Sequence, residues 1–347
     1  MNNDSTLTSA LPPALRNDST RFYMYGRNAL YGILASRQQQ GATKVCFPAY
    51  SCGDEVAVAV SLGLGVAYYE VSDLFSIDLI SLKLALADSD VIVITHFFGA
   101  IDTLLPQIIA MARASNVFVV EDCAYAYFNE NAGMNGDAAI FSLRKHWGIE
   151  YGGALLADKV NMVGNPLSPS LKALELERKN AEAYSMGSSK LGSGDHLSKG
   201  ADPFGPRLEA LGGYELGFPK EIDLVGSNFR SYEFMKTERE SLFRLLRATF
   251  VAEGLSNVLR VVDGLNLSVG SYFPLYIDRA DRVQANLNNR GYYFGVAIWD
   301  RYHPYITWDD HPIVKEMKRN IFAIPLKNTE LTPVQMVAAI KEEIYED

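Results

Sequence analysis

A chain of 347 residues is long enough for two or three domains around a large buried core. Its hydrophobic share of 48% and charged share of 21% are those of an ordinary globular protein and exclude a disordered chain. The net charge of −9 argues against a general nucleic-acid-binding face, although it leaves room for a local basic pocket.

The N-terminal stretch from Met1 to Asn17 is polar with a Leu-Pro-Pro break, and it lacks the basic start and apolar run of a signal peptide. Residues 1–24 read as an N-terminal arm. From Gly26 onward helical and strand-like segments alternate. Ala29, Leu30, Ile33 and Leu34 give a helical spacing over Gly26 to Gln40, and Gly41 stops it. Strands are predicted at Lys44 to Ala49, Val66 to Val71 and Val91 to Thr95. Helices are predicted at Asp54 to Leu62, Asp78 to Ala87 and Leu104 to Ala114, with Pro106 as a candidate kink. Further strands are predicted at Val117 to Val120, Ala138 to Leu143 and Ala154 to Ala157. Apolar strands alternating with helices imply an α/β fold with a mostly parallel sheet covered by helices. The site of such a sheet lies beyond the carboxyl ends of its strands.

Residues 159–225 are less regular. Leu167 to Tyr184 looks helical, and the Gly-rich and Ser-rich run from Ser185 to Gly200, with Gly212 to Lys220, reads equally as a flap or as a solvated excursion. Residues 25–225 therefore form a large domain with an irregular excursion. Residues 226–347 form a smaller α+β domain, with helices at Glu233 to Ala252, Arg282 to Asn289 and Thr332 to Tyr345 and strands at Tyr272 to Ile277 and Ile321 to Ile324. No stretch approaches the ~18 uninterrupted apolar residues of a membrane span. Three cysteines, Cys46, Cys52 and Cys123, make no disulfide framework and no Cys-x-x-Cys zinc pair. A cytoplasmic protein that binds neither membrane nor nucleic acid is expected.

Two strand ends carry the chemistry. Val117-Phe118-Val119-Val120-Glu121-Asp122 closes on an acid, and Phe141-Ser142-Leu143-Arg144-Lys145 closes on a lysine. This pairing suits pyridoxal 5'-phosphate (PLP). Lys145 would form a Schiff base with the aldehyde, Asp122 would hold the proton on the pyridine nitrogen, and Ser142 would donate to the phosphate. A carboxylate closing an apolar strand needs a cationic partner, and a pyridinium supplies one. Gly26-Arg27-Asn28 opens a helix, whose free amides would complete a phosphate cup. Arg27 reads equally as a phosphate ligand and as a surface charge. His96 reads as structural, His146 as a substrate contact or packing residue, and Asp309-Asp310-His311 as a polar loop rather than a metal site. Gly63-Leu64-Gly65 follows a helix and precedes a strand, the wrong order for a dinucleotide fingerprint.

From about Tyr25 to the C-terminus the chain resembles the DegT/StrS-type sugar aminotransferases, PLP enzymes of fold type I. The resemblance rests on Gly26-Arg27-Asn28-Ala29-Leu30, Phe47-Pro48-Ala49-Tyr50-Ser51-Cys52, His96-Phe97-Phe98-Gly99, Glu121-Asp122-Cys123-Ala124-Tyr125, Gly136-Asp137-Ala138-Ala139-Ile140-Phe141-Ser142, Lys145, Gly152-Gly153-Ala154, Asn228-Phe229-Arg230 and Ile324-Pro325-Leu326. It implies a homodimer with a shared site, in which Asn228 reaches the phosphate of the other subunit. It also implies transfer of an amino group, typically from glutamate, to a keto group on a nucleotide-linked sugar. Arg230 is a candidate for the donor's distal carboxylate.

The chain departs from that family in four places. Tyr125 stands where Gln or His usually approaches the cofactor's phenolic oxygen. Cys52 stands where a ring-stacking aromatic is expected, with Tyr50 the nearest aromatic. The phosphate turn carries Arg27-Asn28 rather than small residues, and the Ser-x-x-Lys spacing is tight. PLP-dependent dehydration, deoxygenation or lyase chemistry stays open, although retention of Lys145 disfavours the dehydratase branch, which has histidine there. A non-catalytic PLP-fold regulatory or assembly protein is the remaining alternative.

Overall fold

The computed structural model describes residues 8–147, 152–157, 215–216, 230–300, 302–327 and 330–345. The expected helix from Leu167 to Tyr184, the run from Ser185 to Gly200 and the domain boundary at 225/226 lie outside these residues.

Eight strands form the main sheet: β1 (Thr20–Tyr23), β2 (Lys44–Pro48), β3 (Gly65–Tyr69), β4 (Val91–Thr95), β5 (Phe118–Asp122), β6 (Ala138–Phe141), β7 (Gly153–Leu156) and β8 (Glu215–Leu216). Their order across the sheet is β3-β2-β4-β5-β6-β7-β1-β8. The block from β3 to β6 is parallel. β4 is buried along its whole length, which explains its unbroken apolar run, since helices cover both faces of such a strand. β7 pairs antiparallel with β6, because the link from Ser142 to Gly152 is too short for a parallel crossover. β1 pairs antiparallel with β7 and β8, so the segment expected as an arm supplies an inner strand.

The helices of this block are α1 (Gly26–Gln39), α2 (Asp54–Ser61), α3 (Leu79–Leu86), α4 (Leu105–Ala114) and the one-turn α5 (Arg144–Trp147). Asp78 caps α3 by accepting from the Ser81 N–H at 2.7 Å. Pro106 sits in the first turn of α4, where its missing N–H has no helical partner to lose, so it starts the helix instead of kinking it.

The C-terminal part holds α6 (Tyr232–Ala252), α7 (Arg260–Gly264), β9 (Tyr272–Tyr276), α8 (Ala280–Asn289), β10 (Val296–Ala297), α9 (Pro312–Asn320), β11 (Ile321–Pro325) and α10 (Pro333–Tyr345). Its three strands make a small antiparallel sheet in the order β10-β11-β9. One apolar core runs from Tyr50, Phe75 and Phe97 beside the large sheet to Phe273, Ile298 and Leu326 of the small unit. A second core lies between the sheet and α1 and α2. A third underlies the N-terminal segment, around Leu11, Phe22, Phe128 and Tyr232. Among the described residues no helix is long and apolar enough to cross a membrane.

Candidate active site

The carboxyl ends of β2, β4, β5 and β6 converge. Register places Asp122 beside Thr95 on one side and Ile140 on the other. The Asp122 carboxylate accepts the Ala124 N–H at 2.9 Å. Burial pushes its pKa up, against the pull of that N–H, of Lys145 and of His96. Lys145 stands on α5, just past β6, with its ammonium 3.7 Å from the centroid of the Tyr125 ring. Lys145 and Asp122 are close enough for the lysine charge to act on the carboxyl.

Glu121, the neighbour of Asp122, faces the other way, as alternation along a strand requires. It is fully buried and meets His96 Nε2 at 2.7 Å. It also accepts the N–H groups of Gly133, Asn135 and Gly136 at 3.2, 2.6 and 2.6 Å. Burial raises its pKa, but the His96 contact and these amides outweigh that and leave it lowered. His96 is thus a structural histidine. It orients Glu121, which gathers the turn that leads into β6 ahead of Ser142 and Lys145.

At the other end, β7 packs against the start of α1. A Cβ on Gly153 would stand 2.2 Å from the Tyr25 carbonyl carbon, so only glycine permits this approach. Gly26 opens α1 with room for a Cβ only 3.3 Å from the Phe141 carbonyl oxygen and 3.9 Å from the Ser142 Cβ. No side chain caps α1 among the described residues. Arg27 and Arg144 stack on the Tyr25 ring at 4.5 and 5.2 Å. Arg27 also pairs with Asp54 at 3.4 Å, and Asn28 is fully buried. Gly26 thus lies against Ser142 where a phosphate cup was expected, Arg27 and Asn28 follow it in the first turn of α1, and Asn228 lies outside the described residues.

Tyr50 and Cys52 part company. Tyr50 is fully buried, donates to the Ile298 carbonyl at 3.0 Å and packs edge-on against Phe75 at 5.0 Å. The structure turns it into the core, away from Lys145. Cys52 faces the site. Its Sγ donates to Glu55 Oε2 at 2.7 Å, and its backbone N–H donates to Glu55 Oε1 at 3.1 Å. Burial, then the charges of Glu55 and Asp54, push the thiol pKa well up, with Lys145 opposing. Burial raises Glu55 as well, with nearby Asp122 adding to the effect. Tyr125 is raised by burial first and by the neighbouring Cys52 next, so it remains a phenol at neutral pH.

Several neighbours were not legible as site residues. Glu55 looks like an ordinary first-turn acid of α2, although Cys52-Gly53-Asp54-Glu55 carries the spacing of a helix-start clasp. Lys318 of α9 is buried, at 1% exposure, and donates to the carbonyls of Ser51 and Trp299, each at 2.7 Å. Ser51 Oγ meets His303 Nε2 at 2.8 Å. These contacts join residues on both sides of the domain junction, and no local pattern announces them. His146 packs: it stacks on Tyr127 at 4.5 Å, and its Nε2 meets the Ala124 carbonyl at 3.1 Å. Arg230 is exposed and paired with Glu238 at 2.8 Å. In the Asp309-Asp310-His311 turn, Asp309 pairs with Lys315 and His311 with Glu70.

A buried carboxyl in need of a cation, a lysine beside it and an uncapped helix start facing a serine fit PLP in kind and in place. The fold is the one shared by solved PLP-dependent aminotransferases of fold type I. Residues 26–160 match the model of the DegT/DnrJ/EryC1/StrS aminotransferase family.

Solved structures of similar fold include a DegT DnrJ EryC1 StrS aminotransferase from Brucella abortus, 15% identical with a TM-score of 0.60 over 94% of this chain and 86% of that one. The 3-amino-5-hydroxybenzoic acid synthase is 14% identical with a TM-score of 0.62 over 94% and 87%. DesI, solved in the presence of its TDP-sugar product, is 15% identical with a TM-score of 0.62 over 94% and 81%. No curated protein matches the chain.

Proposed function

We propose that the protein is a PLP-dependent aminotransferase that moves an amino group from an amino acid, with glutamate as the first candidate, to a keto group on a nucleotide-linked sugar. The observation that carries the reading is the convergence of Asp122 and Lys145 from adjacent strand ends. The sugar assignment draws support from the family match and from the TDP-sugar product with which DesI was solved.

When bound, PLP supplies an aldehyde and an electron-withdrawing ring. In this reading Asp122 keeps the proton on the ring nitrogen, because its buried carboxylate is stabilised by a cation at that point. Ser142, Gly26, Arg27 and Asn28 hold the phosphate. Tyr125, kept as a phenol, donates to the cofactor's phenolic oxygen. The small thiol of Cys52 would stand where a stacking ring is expected beside the cofactor. Lys145 would hold the cofactor's aldehyde and would supply an amine able to take or give a proton at the substrate carbon.

The enzyme acts in the cytoplasm as a homodimer, with Asn228 completing the phosphate site of the partner subunit. Residues 25–225 form its cofactor domain and residues 226–347 its small domain. The test is to add glutamate to the PLP-loaded protein. Loss of the visible absorption, with 2-oxoglutarate released in equal amount, supports transamination. No change with glutamate, glutamine, alanine or aspartate refutes it and points to elimination chemistry.

A further inference from the structure

Thr95 ends β4 with a buried hydroxyl that bonds to nothing. The residue is 7% exposed, and its Oγ1 has no hydrogen-bond partner among the described residues. Alternation along the strand puts it on the same face as Val91 and Val93, which belong to the core beneath α1 and α2. A third valine there would keep the β-branched shape that suits a strand and would bury no polar atom. Leaving a hydroxyl unbonded in such a place costs free energy, so threonine is the less stable choice unless it meets a partner.

The sheet register supplies one. In the parallel pairing of β4 with β5, Thr95 is the direct neighbour of Asp122. Paired residues of adjacent strands project from the same face, just as the paired Val93 and Val120 both enter the second core. Adjacent strands lie about 4.8 Å apart, so a turn about χ1 brings the threonine hydroxyl to the carboxylate. Among the described residues Asp122 accepts the Ala124 N–H through Oδ1, which leaves Oδ2 for other donors. Burial favours the protonated form of this carboxyl. A neutral acid draws a hydroxyl weakly and a carboxylate draws it strongly. A cation held at Asp122 therefore also gives the Thr95 hydroxyl its acceptor.

We propose that Thr95 is a positioning residue for the cofactor: its hydroxyl donates to the Asp122 carboxylate and, through it, strengthens the hold on the pyridine nitrogen. The proposal rests on the PLP reading above. It makes the end of β4, as well as the ends of β5 and β6, part of the cofactor seat.

The test titrates PLP onto the full-length protein freed of cofactor, as wild type, Thr95→Val and Thr95→Ser, and records the melting temperature of each without PLP. Expected for Thr95→Val are a melting temperature equal to or above wild type and PLP binding weakened about ten-fold. Thr95→Ser, which keeps the hydroxyl, restores most of the affinity. The deaza analogue of PLP, with carbon in place of the ring nitrogen, binds wild type and Thr95→Val equally. Equal PLP affinity in wild type and Thr95→Val overturns the proposal and leaves Thr95 as a packing residue or the seat of a buried water. Equal losses for PLP and its deaza analogue also overturn it, because the hydroxyl then does not act through Asp122 on the ring nitrogen. Should Thr95→Val fail to fold, Thr95→Ala takes its place, and a PLP affinity equal to that of Thr95→Ser overturns the proposal. A wild type that takes up no PLP refutes the PLP reading itself, and the proposal falls with it.

Discussion

Lys145 holds its ammonium 3.7 Å above the centre of the Tyr125 ring, on the same side of the sheet as Asp122. The ring faces the charge with its electron-rich surface and keeps the lysine directed into the site. Lys145→Ala should abolish the visible absorption of the PLP-loaded protein. Borohydride should trap the cofactor on the wild-type peptide that contains Lys145. Trapping on another lysine would remove the residue from its role. Tyr125→Leu should keep the linkage but weaken the hold on the lysine, seen as a faster loss of cofactor on dialysis.

Asp122→Asn should still bind PLP and turn over about a hundred- to a thousand-fold more slowly, since an amide hydrogen-bonds but carries no countercharge. Single-turnover conversion with the best donor gives the rate. A near-wild-type value would place the countercharge elsewhere.

Gly153→Ala should damage the site from a distance. The added methyl meets the Tyr25 carbonyl carbon at 2.2 Å and must push β7 away from the start of α1. Overpacking of this kind costs about 1–3 kcal/mol. The same displacement opens the Gly26–Ser142 cup, so PLP affinity should fall along with the melting temperature. A loss of stability with unchanged PLP affinity would separate the two.

Lys318→Met should destabilise the protein by about 2–4 kcal/mol, because the Ser51 and Trp299 carbonyls both lose their donor in a buried place. Burial pulls the Lys318 pKa down to about 8, opposed by Cys52, Glu55 and Asp300. The lost contact adjoins Cys52, so cofactor retention should drop as well. Denaturant unfolding with and without added PLP measures both effects.

Acid should weaken the fold through two histidines. Burial and Lys318 pull His303 from 6.5 to about 3, with Asp54 opposing. Burial, Arg239 and Lys145 lower His146 as well, against the Ala124 carbonyl. For a depressed histidine the unfolded chain binds the proton first. Stability is therefore full above 6.5 and is lost as pH falls, at about 1.4 kcal/mol per pH unit for each group. Asp122 and Glu55, raised by burial, bind protons more readily when folded and work in the opposite sense. His303→Asn should flatten the fall in melting temperature between pH 6.5 and 5. An unchanged slope would show that His303 is not held neutral.

The large sheet could be read from the chain because its inner strands are apolar without interruption, as in Val91 to Thr95, and because each ends in a residue unlike its neighbours, such as Asp122. Their convergence followed from one rule about where parallel sheets place their sites. β1 was hidden, since Thr20–Tyr23 is short and its partners lie far along the chain. Tyr50 misled for another reason: an aromatic near the site in sequence can turn to either side of a strand end, and a carbonyl at Ile298 decides the matter. Lys318 and His303 carry no local signature, because what defines them is burial against segments that only the folded chain brings near.

The place of β1 has a consequence for the order of events at the ribosome. Thr20 pairs with Leu156 and Tyr23 with Gly153, so β1 waits for a strand synthesised much later. At about 5–20 residues per second that wait is on the order of ten seconds. Throughout it Phe22 and Tyr23, buried in the finished fold, have no seat. The parallel block from β2 to β6 can close in the meantime. β1 is thus among the last strands of the sheet to be settled, and the nascent chain carries it without its β7 partner until β7 emerges.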